Sequence, residues 1–333
     1  VVIGKHKADW VNVTSGVPHG SVLGPLLFVI YINDMPEVVS HLVKLFADDS
    51  KLIATIRSNN DPLILQSDLN ALMEWSITWR MLFNVDKCKV MDFNRSNGKP
   101  IKTELVMGES GGSSIMKFVE SEKDLGVTLS RNLKFSTHIR IQANKATAIL
   151  GQLKRTFRFW TIATCRTLYC AFVRPHLEYA AAVWSPHSKK DIKILESVQR
   201  RATKLVSRYR NWSYADRLAV FDLTTLQERR VRDDMIQLFK FNRGINEASW
   251  VKPMAHCNSL SQAGPAGGVR GHRRRLSGQV TTKCQQRANF FTNRVVNEWN
   301  ALPARVTEST SVNQFKNRYD AYKSATNSKL NVD

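Results

Sequence analysis

Near residue 135 the spacing of apolar residues changes period, and that change constrains the architecture more than any single motif. Before it, apolar runs are short, alternate in steps of two and are broken by turn residues, which is the pattern of strands with covering helices. After it they recur at three and four residues. Ile139, Ala143, Ala146, Leu150, Leu153 and Phe157 make one helical stripe. The chain therefore reads as an α+β region over 1–135, a helical region over 136–250 and a basic C-terminal region over 251–333, with a Gly- and Ser-rich loop or linker at 258–280. Its 333 residues suit about two domains.

Within the first region, "VKLFADDSKLIAT" (Val43 to Thr55) reads as strand, tight turn, strand, with Asp48 and Asp49 at the tip. An aspartate pair in a turn can be simple punctuation, because the side chain bonds its own backbone. It can equally be a divalent-metal site, since Mg²⁺ takes hard oxygen ligands from one or two carboxylates plus phosphate. Upstream, Gly16, Gly20 and Gly24 are spaced four apart, a pattern suited to close approach by another backbone or a base pair. No GK[ST] follows, so this is not a P-loop. Leu26 to Ile32 is apolar on every side, which predicts a helix buried all round that stops before Pro36. Leu65, Leu69, Leu72, Met73 and Trp79 predict one face of a second helix. "KCKVMDF" and "KDLGVTLS" predict strands returning to the sheet.

The charge is unevenly placed. The chain carries a formal +21, yet residues 1–100 hold ten basic and ten acidic residues, so the whole excess lies later and favours a polyanionic partner. "TCRTLYCAFVRPHLEYAAAVW" predicts a helix interrupted at Pro175, and "DIKILESVQRRATKLVSR" a helix with Ile192, Leu195, Val198, Ala202 and Leu205 buried. On another face of that helix Arg200, Lys204 and Arg208 fall at i, i+4 and i+8, either as a solvated row or as phosphate contacts. Arg273, Arg274 and Arg275 form a second basic cluster in the linker. "FFTNRVVNEWNALP" predicts a short amphipathic helix ending before Pro303. Five cysteines without CxxC spacing argue for a reducing, intracellular compartment, nucleus or cytoplasm. The spacing of His256, Cys257, His272 and Cys284 matches no zinc pattern. The longest apolar stretch, "VLGPLLFVIYI", is too short to span a bilayer, so no membrane is expected. No feature of the sequence sets an oligomeric state.

"TSGVPHGSVLGPLLFVIYINDMP" followed by "KLFADDSKL" resembles the reverse transcriptases of non-LTR (LINE-like) retrotransposons. The likeness continues through "WRMLFNVDKCKVMDF", "EKDLGVTLS", "VRPHLEYAAAVWSPHSKKDIKILESVQRRATK" and "NRVVNEWNALP". It implies the C-terminal part of a polymerase palm, then a helical thumb that cups a template–primer duplex. Ser15, Gly16, Pro18, His19, Gly20 and Ser21 would then shape the nucleotide and template pocket, and Lys87 would lie near the incoming triphosphate. Asp48 would ligate Mg²⁺ (or Mn²⁺) with help from Asp49, and Leu125, Gly126 and Val127 would position the primer terminus. The implied partners are an RNA template, a DNA primer and deoxynucleoside triphosphates.

Two-metal nucleotidyl transfer holds ions roughly 3.5–4 Å apart. Adjacent strand residues face opposite ways, so a carboxylate from another strand is needed to complete the cage. In this family that carboxylate lies on a strand well before the glycine loop, and the chain begins too late to contain it. Asp9, Asp34, Asp86 and Asp92 do not match it. The expectation is therefore a fragment that does not polymerise alone, or else a non-catalytic nucleic-acid-binding remnant. His19 stands where the family usually has glutamine, and Ser50 where threonine is common. Nothing in the chain resembles an endonuclease.

Overall fold

Every strand pairs with a single neighbour, so the sheet is broken into five two-stranded ribbons among the described residues. The computed structural model describes residues 2–9, 12, 17, 20–93, 103–108, 112, 114–250, 253–257, 272–278 and 284–330. They fall into two units, Val1–Glu120 and Ser121–Asp333. The mixture of helices and small ribbons is α+β. The expectation for the first region is an antiparallel sheet with covering helices; among its described residues the ribbons are antiparallel except one, which is parallel. Strand pairing depends on partners distant in sequence, which alternation alone does not specify.

The first unit opens with a ribbon of β1 (Val2–Ile3) and β2 (His6–Lys7). Helix α1 (Leu23–Ile32) follows, then a 3₁₀ turn at Met35–Val38 with Pro36 in its first positions. The hairpin β3 (Leu42–Phe46) and β4 (Asp49–Ile53) leads into α2 (Asp61–Thr78). Short strands β5 (Lys89–Val90), β6 (Val106–Met107), β7 (Ser114–Ile115) and β8 (Lys117–Phe118) complete the unit, with β5 parallel to β8 and β6 antiparallel to β7.

Helix α2 is the centre of this unit. Leu69 and Met73 pack with Leu105, Met107 and Met116, while Leu72 and Trp75 pack with Ile32 and Met35. Full burial of such side chains contributes about 1.5–3 kcal/mol each. The residue expected at Trp79 on this face is instead Trp75, which is buried. The helix ends at Thr78, and Arg80 takes a positive φ of 54°, so Trp79 lies past the last turn. Helix α1 forms and stops where predicted, but it is not buried all round. Ile32 is its buried residue and Phe28 packs beside it, while Leu23, Leu26, Leu27, Val29 and Ile30 are exposed. An all-apolar segment reports helix and hydrophobicity, not the presence of a neighbour on each side.

The second unit begins with the hairpin β9 (Ser121–Asp124) and β10 (Val127–Ser130), followed by α3 (Ser136–Thr156) and α4 (Ile162–Leu168). A π turn at Tyr169–Val173 continues into α5 (Arg174–Glu178), then come α6 (Ala181–Trp184), α7 (Lys189–Ala202), α8 (Tyr214–Val220) and α9 (Leu226–Asn242). Pro175 sits directly after the π turn, and the helical run continues through it to Glu178. The break comes after it, at Tyr179 and at Ala180 with φ 52°. Ile139, Ala143, Ala146 and Leu150 of α3 pack with Leu177, Trp184, Leu195 and Val198, as their spacing predicts.

A second core joins α9 to α11 (Phe291–Asn300) and α13 (Val312–Leu330) through Met235, Phe239, Val295, Trp299 and Phe315; the short helices α10 (Gln285–Ala288) and α12 (Ala304–Thr307) flank α11. Much of the segment read as a linker, 258–271 and 279–280, lies outside the described residues. The part that is described is packed. His272 and Leu276 are buried, Leu276 bridges His256, and His272 Nε2 lies 2.9 Å from the Trp299 carbonyl. Among the described residues no helix is long and apolar enough to cross a membrane.

Candidate active site

The β3–β4 hairpin carries the acidic pair. Val43 is buried and Leu45 half-buried, while Lys44 and Phe46 face out, so the alternation in the sequence becomes a two-sided ribbon. Leu42 pairs with Ile53 and Phe46 with Asp49, which leaves Ala47 and Asp48 as a two-residue turn. Ala47 takes a φ of 48°, a conformation that strains a residue with a Cβ by about 1–2 kcal/mol. Leu45 and Leu52 pack against the α1–α2 core, and Ser50 Oγ lies 3.8 Å from Met35 Sδ.

The foot of the hairpin is held by Asp68 of α2. Its carboxylate accepts from Ser40 N–H at 3.0 Å, Ser40 Oγ at 2.9 Å and His41 N–H at 2.9 Å, with His41 Nδ1 at 2.6 Å. Burial alone would raise this carboxyl, but the hydrogen bonds from Ser40 and His41 outweigh it and hold it below the usual carboxylate range. Sequence reading did not single out Asp68, because its partners lie 27 and 28 residues away and no local pattern announces them.

Asp48 and Asp49 are both exposed, one in the turn and one opening β4. Two hard carboxylate donors side by side suit part of a Mg²⁺ shell. Among the described residues no group of three His, Cys, Asp or Glu side chains is placed to hold a metal ion. Asp34 is already used, accepting from Trp75 Nε1 at 3.0 Å, and Asp9 and Asp86 are exposed elsewhere.

Of the glycine-loop residues, Ser15, Gly16, Pro18 and His19 lie outside the described residues. Gly20 needs its glycine for a φ of 79°, and a Cβ there would meet nothing within 4 Å. Gly24 is the position of close approach, where a Cβ would lie 3.1 Å from Val17 Cγ2. The crowding at Gly24 thus comes from within the loop itself. Ser21 Oγ accepts from Gly24 N–H at 3.2 Å and so caps α1. Lys87 is exposed at the end of a 3₁₀ turn, Val85–Lys87.

Leu125 and Gly126 belong to the second unit, as the turn of β9–β10. Both have positive φ, 44° and 85°, as a two-residue type I′ hairpin requires. A Cβ on Gly126 would come within 2.9 Å of the Tyr179 ring, whose hydroxyl donates to the Leu125 carbonyl at 3.1 Å. Val127 is buried in the main core. Thr128 N–H donates to His138 Nδ1 at 3.1 Å, which ties this ribbon to α3.

The row Arg200, Lys204, Arg208 does not share one helix, because α7 stops at Ala202 and Thr203 to Val206 turn away before a 3₁₀ turn at Ser207–Tyr209. All three side chains remain exposed, with the Arg200 guanidinium 3.8 Å over the Tyr214 ring. Arg273 is exposed, whereas Arg274 and Arg275 are half-buried and Arg274 Nη1 reaches the Asn242 carbonyl at 3.4 Å. Only Arg273 of that trio stands fully open to a phosphate.

Residues 2–135 match the model of the family described as reverse transcriptase (RNA-dependent DNA polymerase). The chain is 28% identical over 225 residues to the RNA-directed DNA polymerase from mobile element jockey of Drosophila melanogaster, covering 62% of this chain and 23% of that protein. It is 28% identical over 207 residues to the probable RNA-directed DNA polymerase from transposon X-element of the same species, covering 59% of this chain and 22% of the relative. A third relative, the probable RNA-directed DNA polymerase from transposon BS, also of Drosophila melanogaster, is 25% identical over 205 residues, covering 58% and 22%. The chain thus spans less than a quarter of the length of these relatives. No solved structure matches it. Sequence motifs, the acidic hairpin and these relatives agree: residues 2–135 match the reverse transcriptase family, and the chain is similar to RNA-directed DNA polymerases of LINE-like mobile elements.

Proposed function

We propose that the first region of this chain supplies the metal-binding hairpin of an RNA-directed DNA polymerase, as the C-terminal part of a palm, and that the helices after residue 135 serve as its thumb. The observation that carries this reading is the Ala47–Asp48 turn, which sets Asp48 and Asp49 at the exposed end of a hairpin inside the matched segment. Asp48 would hold Mg²⁺ or Mn²⁺ and Asp49 would assist; a bound ion would activate a primer hydroxyl and stabilise the leaving pyrophosphate. The template would be RNA, the primer DNA and the substrates deoxynucleoside triphosphates. Leu125 to Val127 would steady the primer terminus, and Lys87, Gly20 and Ser21 would lie on the nucleotide side. The described residues offer no third ligand beside the pair, so we propose further that the chain alone does not polymerise.

Two measurements test this. Manganese titration followed by electron paramagnetic resonance is expected to find a weak site that Asp48→Ala removes; binding unchanged in both Asp48→Ala and Asp49→Ala would overturn the metal assignment. Primer extension on an RNA template is expected to give no product with the 333-residue chain. Product abolished by Asp48→Ala would refute the inactivity and strengthen the polymerase reading. The charge excess after residue 100 favours a second reading, a nucleic-acid-binding protein without chemistry, whose affinity would fall steeply with salt and ignore Asp48→Ala.

A further inference from the structure

Between Arg131 and Ala215 the chain has seventeen basic residues and three acidic ones, and none of the three acids is exposed. Glu178 pairs with Arg174 and Arg229. Asp191 accepts from Ser136 Oγ at 2.7 Å, and Glu196 from Tyr214 Oη at 2.6 Å. The exposed charge of this stretch is therefore predominantly basic.

Two connecting segments add aromatic rings to that charge. Phe157 to Trp160 joins α3 to α4, and Ser207 to Trp212 leads from α7 to α8. Trp160 and Tyr209 both pack on the small core of Cys165, Val206 and Phe221, so the two segments are fastened to one support. Trp160 Nε1–H donates to the Phe157 carbonyl at 3.0 Å, and Trp212 meets Tyr209 edge-on at 5.0 Å between centroids. On this fixed base Phe159 is 88% exposed and Trp212 46% exposed. Trp212 borders an open depression of about 590 Å³ shared with Asp216, Ala219 and Val220. The Asp216 carboxylate is engaged by Ser213 Oγ at 2.5 Å. Arg155 and Arg158 flank one ring, Arg208 and Arg210 the other, and all four are exposed.

A duplex hides the faces of its bases, whereas a single strand offers them, and stacking on protein aromatics is tolerant of sequence. We infer that this surface binds single-stranded nucleic acid, with bases stacked on Phe159 and Trp212 and phosphates on the surrounding arginines. The inference rests on reading the helical region as a nucleic-acid-binding one, and it adds the form of the strand and the residues that hold it.

The test is fluorescence anisotropy with the full chain and labelled oligouridine, oligothymidine or a duplex, in EDTA so that metal chemistry plays no part. Expected are tighter binding of the single strands than of the duplex, and a loss of about 5- to 100-fold for Phe159→Ala and Trp212→Ala. Phe159→Leu should lose as much, because leucine keeps the apolar surface and lacks the stacking face. Arg208→Ala should lower the slope of log affinity against log salt by about 0.7 if it meets one phosphate of a single strand, while Phe159→Ala leaves the slope unchanged. Whichever single strand binds better identifies RNA or DNA as the ligand, and either outcome supports the inference. Equal affinity for the duplex, or wild-type affinity of Phe159→Leu and Phe159→Ala with unchanged melting temperature, would overturn it. The polymerase reading fails separately, through manganese binding that neither Asp48→Ala nor Asp49→Ala changes.

Discussion

Replacing Asp68 by alanine should release the foot of the acidic hairpin. The carboxylate is the common acceptor for Ser40 N–H, Ser40 Oγ and His41 N–H, at 2.9–3.0 Å, and His41 Nδ1 is closer still. A hydrogen bond to a charged group contributes about 1.5–3 kcal/mol. Ser40 is exposed and His41 half-buried, so water recovers part of the loss; two unrecovered bonds at the lower figure give a net cost of about 3 kcal/mol. With a urea slope of about 1.5 kcal/mol/M, the midpoint for the first unit should fall by about 2 M. Hydrogen exchange by mass spectrometry over Leu42–Ile53 localises the effect, and urea unfolding gives its size. The depressed carboxyl also sets a pH dependence. Its folded value lies below the unfolded one of about 3.9, so its contribution is fully present above that value and is lost as pH falls through the folded value. A midpoint shift below about 0.5 M, with exchange in the hairpin unchanged, would refute the view that Asp68 anchors it.

Gly126→Ala should cost about 1–3 kcal/mol from positive-φ strain and displacement of the Tyr179 ring, lowering the melting temperature of the second unit by several degrees. Its effect should be partly relieved in the double substitution with Tyr179→Ala, a non-additivity that a thermodynamic cycle reads directly. His138 is buried and its Nδ1 must stay unprotonated to accept from Thr128 N–H; burial depresses its pKa, so stability of the second unit should decline as pH drops through about 6.5 and below. Urea unfolding at pH 7.5 and pH 5.5 checks this, and His138→Phe should flatten the difference. Arg294→Ala should cost about 3–5 kcal/mol, because it strands the buried Asp234 carboxylate that Arg294 grips with two 2.8 Å bonds. Calorimetry that shows only a degree or two of change would count against that pair as a structural bond.

The hairpin was legible because its two requirements are local. Alternation set the strands and the small, polar turn residues set the reversal. Helices α3, α7 and α11 were legible for the same reason, each having one apolar stripe. Helix α9 carried a readable signal, Thr225 followed by Glu228, which forms a capping box. Hidden from the sequence was everything that depends on distant partners: which ribbons pair, whether α1 has neighbours, and why Trp75 is buried and Trp79 is not. Spacing placed Arg200, Lys204 and Arg208 on one face by assuming the helix continues; its end at Ala202 removed the assumption. The roles of Asp48, Asp49 and the glycine loop came from resemblance, with geometry adding the turn that presents the two aspartates.

The π turn at Tyr169–Val173 carries a consequence for length variation. One extra residue in a helical turn rotates the downstream residues by about 100°. The π turn takes up such a residue within its wider winding, so deleting one residue there would restore ordinary winding and keep Leu177 in the hydrophobic interior and Glu178 beside its arginines. This short span should therefore tolerate the loss of one codon better than the α-helical turns on either side of it.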